Sequence, residues 1–305
     1  MAAFITKRLL EFIPVLLAII TITFFLIRLA PGGPFDTEKR VSPEVLAQLE
    51  AHYQMDRPLH AQYFQYLKGL IRLDFGPSYK KPARTVAQWL LLRLPVSIEL
   101  GLYGLAFALF LGLGAGVLAA LKPNSWLDHT VMSVAMLGIC VPAFVLGPLL
   151  VLVFALWTDW LPVMGWISPA HKILPSITLG AGYAAYIARM ARGGMLETLA
   201  QDFIRTARAK GMKESRVVLK HGLRAGLQPV VSFLGPAVAG LLTGSFVVET
   251  IFMIPGLGRE FVESAFNRDY TMISGAVLVY AVLVMSLNLV SDILLGLLDP
   301  RIRGQ

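Results

Sequence analysis

Six long apolar stretches, divided by more polar segments of unequal length, run through the 305 residues. They lie near 9–30, 96–120, 130–157, 173–191, 227–250 and 272–298. A hydrocarbon core of about 30 Å takes roughly 20 apolar residues in helical form, so each stretch is long enough to be read as a crossing. The pattern predicts an all-α integral membrane protein with six transmembrane helices. The first stretch follows Lys7-Arg8 and has the charge profile of a signal peptide. Its apolar run is too long, and Leu29-Ala30-Pro31-Gly32 is a poor cleavage site, so it is expected to be retained. The fourth, from Ile173 to Tyr186, is the least oily, rich in glycine, alanine, serine and threonine. Such residues let backbones approach closely in lipid, which places it inside a bundle or against a second chain. Small residues four apart recur at Gly112/Gly116 and Gly240/Gly244, with the same two readings open.

Between the first two stretches, 31–95 opens on Pro31-Gly32-Gly33-Pro34 and then shows helical spacing at Val45, Leu46 and Leu49 and at Tyr63, Leu67, Leu70 and Ile71. A small ordered helical segment is expected there. Three regions follow: 1–30 as N-terminus and first span, 31–95 as an external segment, and 96–305 as a transmembrane domain with cytoplasmic helices within 192–226.

Composition supports the membrane reading. At 56% apolar and 15% charged, the chain lacks the polar surface of a soluble domain. Cations sort by loop: 192–226 holds Arg192, Arg205, Arg208, Lys210, Lys213, Arg216, Lys220 and Arg224 against Glu197, Asp202 and Glu214, while Lys172 stands alone after the third stretch. The positive-inside rule then puts both termini in the cytoplasm. Segment 31–95 also carries more cations than acids, but is long enough to translocate regardless of charge. The net charge of +8 is thus a topology signal before it is a sign of nucleic acid, and no nucleic-acid partner is expected.

Chemistry is sparse. No Gly-Lys dipeptide occurs, so there is no phosphate loop of the G-x-x-x-x-G-K-[ST] kind. His52, His60, His129, His171 and His221 form no close ligand pair, Cys140 is alone, and G-x-S-x-G is missing, so neither a metal centre nor a catalytic group is assigned. Ionisable or amide groups within spans raise a functional question. Glu99, Glu249, and the pair Asn288 and Asp292, one turn apart, are the candidates. The acids lie close to span ends, where interfacial water would explain them. A translocation path is the other reading, with Tyr183 and Tyr186 of the fourth stretch as further candidates.

The informative polar stretch runs Gln201-Asp202-Phe203-Ile204-Arg205-Thr206-Ala207-Arg208-Ala209-Lys210-Gly211. As a helix it sets Phe203, Ile204, Ala207 and Gly211 on one stripe, with Arg205 and Arg208 beside it. Gly211 suits a left-handed C-terminal cap, and the cations of the last turn complement the helix dipole. A second short amphipathic stretch follows, with Leu219 and Leu223 on one face and Lys220 and Arg224 on another. Two readings stand: a basic loop resting on anionic lipid, or a lever pushed by a soluble partner.

These residues resemble the inner-membrane permease subunits of binding-protein-dependent ABC importers, whose cytoplasmic Glu-Ala-Ala-x-x-x-Gly element docks on an ATPase. Arg205-Thr206-Ala207 with Gly211 occupies that spacing, with Arg205 in place of the usual glutamate, so only the position and the small residues carry over. Asp56-Arg57-Pro58-Leu59 with Gln62-Tyr63, and Asp74-Phe75-Gly76-Pro77-Ser78, are similar to the external segment of B-type peptide permeases. So are Val248-Glu249-Thr250-Ile251-Phe252, Ile254-Pro255-Gly256-Leu257-Gly258, Asn267-Arg268-Asp269-Tyr270 and the close from Asn288 to Arg303. The similarity spans nearly the whole chain and identifies it as a member of the peptide/nickel permease family.

The resemblance implies a bacterial inner-membrane complex of this chain, a second C-type permease, two ATPase subunits and an extracytoplasmic peptide-binding protein. It implies oligopeptide cargo, with dipeptides, murein peptides, glutathione or a nickel chelate as rivals. ATP and Mg would be bound by the ATPase subunits and no cofactor by this chain. Asp202, Phe203, Arg205, Thr206, Ala207, Arg208, Ala209, Lys210 and Gly211 would form the ATPase-coupling element. Pro255, Gly256, Arg259, Glu260 and Glu263, after the fifth stretch, would offer the binding protein an outward polar surface. An ion-gradient transporter or a membrane enzyme has less to support it.

Overall fold

The computed structural model describes residues 2–35, 43–243 and 246–298, and the folded elements among them are helices. Gly244 and the Asp299–Arg303 tail lie outside them. In chain order come α1 (Ala2–Leu29), α2 (Pro43–His52), α3 (Leu59–Ile71), α4 (Val86–Leu121), α5 (Trp126–Cys140) and α6 (Ala143–Val151). A π-helical turn over Leu152–Trp157 extends α6. Then follow α7 (Pro169–Leu199), α8 (Asp202–Ala209), α9 (Glu214–Arg216), a second π-helical turn (Val217–Gly222), α10 (Leu223–Gly226), α11 (Gln228–Leu242), α12 (Phe246–Ile251), α13 (Leu257–Phe266) and α14 (Tyr270–Leu298). The chain divides into two compact units, one of residues up to Val96 with Pro255–Met285, the other of Ser97–Ile254 with the chain from Ser286 on.

By length and apolarity four stretches can cross a membrane: Ile5–Leu29, Val86–Leu121, Gln228–Ile251 and Tyr270–Ile293. A fifth is obtained if α5 and α6 form one span despite the 109° bend between them. The unbroken helix expected over 130–157 is therefore a correction. Pro142 has no N–H to donate, and Val141 before it is driven to an extended conformation (φ −93°, ψ 113°). Helix α4 begins at Val86, within the segment expected to be external, and runs through Pro95.

In the first unit, Phe24 and Ile27 of α1 are buried, and the Phe24 ring meets Tyr63 and Tyr66 of α3 at centroid distances of 5.2 and 5.7 Å. Val86 and Leu90 of α4 pack with Leu257, Met272 and Ala276. Buried Asp269 holds the start of α14: its carboxylate accepts from Met272 N (3.3 Å), Tyr79 N (3.2 Å) and the Ser78 hydroxyl. That supplies acceptors to the N–H groups a helix leaves open at its first turn.

The second unit is arranged around α7, which touches α5, α6, α10, α11 and α12. Small residues permit the approach. A side chain on Gly112 would meet Ile187 (2.9 Å), one on Gly138 the Ala181 carbonyl (2.5 Å), and one on Gly180 the Gly104 carbonyl (2.5 Å). Gly112, Gly116 and Gly240 thus make contacts within the chain, Gly240 against the Tyr183 hydroxyl. At 31 residues α7 is about 45 Å long.

Candidate functional site

Helix α8 follows α7 after a two-residue corner, Gln201 extended (φ −72°, ψ 153°) and its N–H donating to the Thr198 carbonyl at 3.1 Å. One face is apolar and buried: Ile204 and Ala207 pack on Val217, Leu199 and Met212. The other is polar and exposed, with Asp202, Arg205, Thr206, Arg208, Ala209 and Lys210. Gly211 ends the helix in the left-handed region (φ +74°), donating to the Arg208 carbonyl at 2.9 Å while Met212 N reaches the Ala207 carbonyl at 3.4 Å. These two bonds and the Met212 contact make a Schellman cap. A side chain built on Gly211 would meet nothing within 4 Å, so the cap points into open space.

Two expectations for this segment are corrected. Phe203 is not on the buried stripe; it is 47% exposed, as Ile204 and Ala207 alone are enough to seat so short a helix. Leu219 is exposed as well, and Val217 and Val218 are buried in its stead. The π-helical turn there inserts an extra residue per turn, which rotates the inward face away from the position α-periodicity assigns.

Arg208 joins the two halves of the corner, donating from Nε and Nη2 to Glu214 at 3.1 and 2.6 Å. The guanidinium holds the Glu214 carboxyl below the usual glutamate range, and the carboxylate raises Arg208 in turn. Arg205 makes only a 3.3 Å contact to Asp202 with both side chains largely exposed. The face is strongly basic: Arg205, Lys210, Lys213, Arg216, Lys220 and Arg224 are all exposed.

Behind α8 the end of α7 is fixed twice. Gly194 lies so close to Gly226 of α10 that a Cβ would run into its carbonyl oxygen. Arg192 forms a forked pair with Asp128 at the start of α5, 2.6 Å in both arms. Sequence reasoning missed this pair. Ser125-x-x-Asp128 is a legible helix start, and the Ser125 side chain does accept from Asp128 N (3.2 Å), but nothing in the sequence links it to Arg192.

Of the span acids, Glu249 is held by a side chain and not by interfacial water, while Glu99 keeps partial access to solvent. Glu249 is fully buried and accepts from the Ser97 hydroxyl at 2.7 Å. Glu99 is paired with Lys172 and accepts from Trp166 Nε1 at 2.9 Å. Buried carboxylates need such partners. Of the path candidates, Tyr183 and Tyr186 lie against Phe233 of α11 with ring centroids at 6.5 and 6.1 Å. On α14 Asn288 is exposed and Asp292 half-buried.

Among residues assigned to an outward surface, Glu260 is a further correction. It is 2% exposed and paired with Lys81 and with Arg93 Nε (3.3 Å), because a carboxylate on the inward side of α13 must be neutralised there. Gly256 is buried too. Pro255, Arg259 and Glu263 stay partly accessible, the last two joined at 2.7 Å.

In the second unit, apolar helices pack on α7, which leads into a capped, basic α8 corner. The chain belongs to the family of inner membrane components of binding-protein-dependent transport systems: the family model matches residues 112–304, and the model of its N-terminal region residues 1–100. It is 48% identical over 305 residues to the oligopeptide transport system permease protein OppB of Haemophilus influenzae, covering 99% of this chain and 100% of that one. Identity to the OppB of Escherichia coli K12 is 47% with the same coverage. To the dipeptide transport system permease protein DppB of Bacillus subtilis it is 46% over 303 residues, covering 99% and 98%. The fold is similar to a chain of the inward-facing MetNI methionine ABC transporter, with TM-score 0.56 and 19% identity over 70% of this chain and 97% of that one.

Proposed function

We propose that this chain is a permease subunit of an ATP-driven peptide importer, moved by partner ATPases through α8. The observation that carries the reading is full-length identity near one half to proteins named for oligopeptide and dipeptide transport. The physics of α8 supports the coupling role. Its apolar face is committed to its own chain, while the basic, capped face is free to seat a partner and is fastened to a helix about 45 Å long.

In this reading α1, α4, the bent α5–α6 pair, α7, α11 with α12, and α14 make the six crossings, both termini face the cytoplasm, and 31–95 lies outside. ATP binding in two partner ATPases draws the α8 elbow, and α7 carries the displacement through the Arg192–Asp128 clamp to α5. A second permease completes the path. Tyr183, Tyr186, Asn288 and Asp292 are proposed to line it, and Pro255, Arg259 and Glu263 to meet a peptide-binding protein. The chain itself performs no catalysis; ATP and Mg belong to the partners. Coupling needs an interaction that differs between the two states, since equal affinity for both shifts nothing.

Oligopeptide cargo is favoured over dipeptide by a narrow margin of identity, 48% against 46%. Uptake of labelled peptides of two to six residues, in cells whose own importer is replaced by the operon carrying this chain, tests it. ATP-dependent accumulation peaking above two residues is expected. Accumulation of dipeptides alone, or uptake driven by an ion gradient without ATP, contradicts it.

A further inference from the structure

The first unit contains a cavity of about 760 Å³ whose charge balance is unusual. Arg28, Arg57, Lys68 and Arg72 line it, against one acid, Asp74, whose carboxylate already accepts from Gly76 N at 2.9 Å. None of the four cations is paired with a carboxylate among the described residues. Arg28, at the inner wall, is half-buried over the Phe24 ring (3.7 Å) and donates only to neutral oxygens, Gln62 Oε1 at 3.1 Å and the Phe24 carbonyl at 3.5 Å. A guanidinium withdrawn from water with no counter-charge is costly unless an anion joins it. The same wall carries Tyr53, Tyr66 and Tyr79. Burial pushes the Tyr66 hydroxyl up to about 12, so it remains a donor. A fourth feature asks for the opposite partner: Gln54 Oε1 is a buried acceptor with no hydrogen bond, in the same lining.

A ligand that satisfies all of this carries an anionic end, an N–H donor close by and surface able to stack on tyrosines. We infer that the cavity binds the carboxylate end of a short peptide, the cations taking the carboxylate and Gln54 a backbone N–H. Its volume falls in the range of small-ligand sites. The phosphate of an anionic lipid satisfies the cations but not the Gln54 acceptor, so a lipid site is the weaker fit. The identity of the ligand as a peptide rests on the proposed cargo; the anion requirement does not.

The test is equilibrium binding of tetra-alanine and of its C-terminal amide to the full chain in phosphatidylcholine nanodiscs. The free acid is expected to bind at least about tenfold more tightly than the amide, which cannot form the charge-assisted hydrogen bonds. The double variant Lys68→Gln, Arg72→Gln removes two of the four cations at exposed positions and is expected to fold; it should cut the preference severalfold, and Lys68→Arg, Arg72→Lys should keep it. Gln54→Leu should weaken both peptides. Equal binding of acid and amide, or a preference unchanged by loss of Lys68 and Arg72, overturns the site. So does tight binding of phosphatidylglycerol with no binding of tetra-alanine. Uptake by the wild-type importer is read separately. Failure of uptake with the acid preference intact removes the cargo reading alone, whereas intact uptake without that preference removes the cavity proposal alone.

Discussion

Gly193 and Gly194 are neighbours with opposite obligations. A Cβ on Gly193 meets nothing within 4 Å, but on Gly194 it collides with the Gly226 carbonyl oxygen, which cannot move aside as a side chain would. Gly194→Ala is therefore expected to destabilise the second unit by about 1–3 kcal/mol, the usual cost of overpacking. Gly193→Ala should be neutral or stabilising by up to about 1 kcal/mol, since alanine is the better helix former. Thermal unfolding of both variants in detergent checks this, and equal midpoints contradict it. The pair also shows where single-residue reading stops. A small residue in an apolar stretch announces a close approach, but only the fold says which of two adjacent glycines makes it.

Gly211 was legible by contrast, because its signals are local. A glycine after an alanine- and arginine-rich amphipathic run predicts a left-handed cap, and φ +74° is what is found. Glu260 was not. Its sequence neighbours Arg259 and Glu263 suggest a polar surface, and the cations that draw it inward, Lys81 and Arg93, are far away in the chain. Long-range ion pairs leave no mark on local periodicity, which is also why Asp128 and Arg192 went unpaired in the sequence.

At the scale of elements, the elbow between α8 and α9 is fastened by Arg208 and Glu214. Glu214 titrates below the ordinary glutamate range when folded, so its contribution is fully present above that range and is lost as pH falls through the folded value. Both side chains are exposed, which with salt screening holds the contribution under about 1 kcal/mol. Hydrogen exchange in α8 should be faster in Glu214→Gln than in wild type at neutral pH, and the difference should vanish in acid. Identical exchange at neutral pH would show that the pair holds nothing.

The Asp128–Arg192 clamp between α5 and α7 makes a directional prediction. Asp128 is 1% exposed, whereas the Arg192 side chain is 27% exposed. Arg192→Gln strands a buried carboxylate; Asp128→Asn leaves a guanidinium that can still reach water. The arginine variant should have the lower thermal midpoint, and the reverse order contradicts the clamp as described. The break at Pro142 belongs to this scale also. A proline in an apolar run is ambiguous in a sequence, since Pro14, Pro95, Pro148, Pro175 and Pro236 all lie inside helices here, whereas Pro142 stands at a break between two. What distinguishes it is the extended Val141 before it, where the other five prolines follow helical residues.

For the whole molecule, the membrane class and the capped helix Asp202–Ala209 were readable because each rests on composition, length or a short-range cap. The cavity of the first unit was not, because its cations lie on α1, α3 and the turns after α2 and α3, and become one site only on folding. The central claim is that α8 is the handle by which partner ATPases move this chain. Gly211→Trp puts a bulky group into the open space at that handle, while Gly211→Asn keeps the left-handed cap with a small side chain. The deciding measurement is peptide taken up per ATP hydrolysed, in proteoliposomes carrying the assembled importer. Relative to wild type and to Gly211→Asn, the tryptophan variant should lower that ratio at least about fivefold, the lower end of a typical coupling free energy between two sites, with the complex still assembled. An unchanged ratio in an assembled complex would contradict the account.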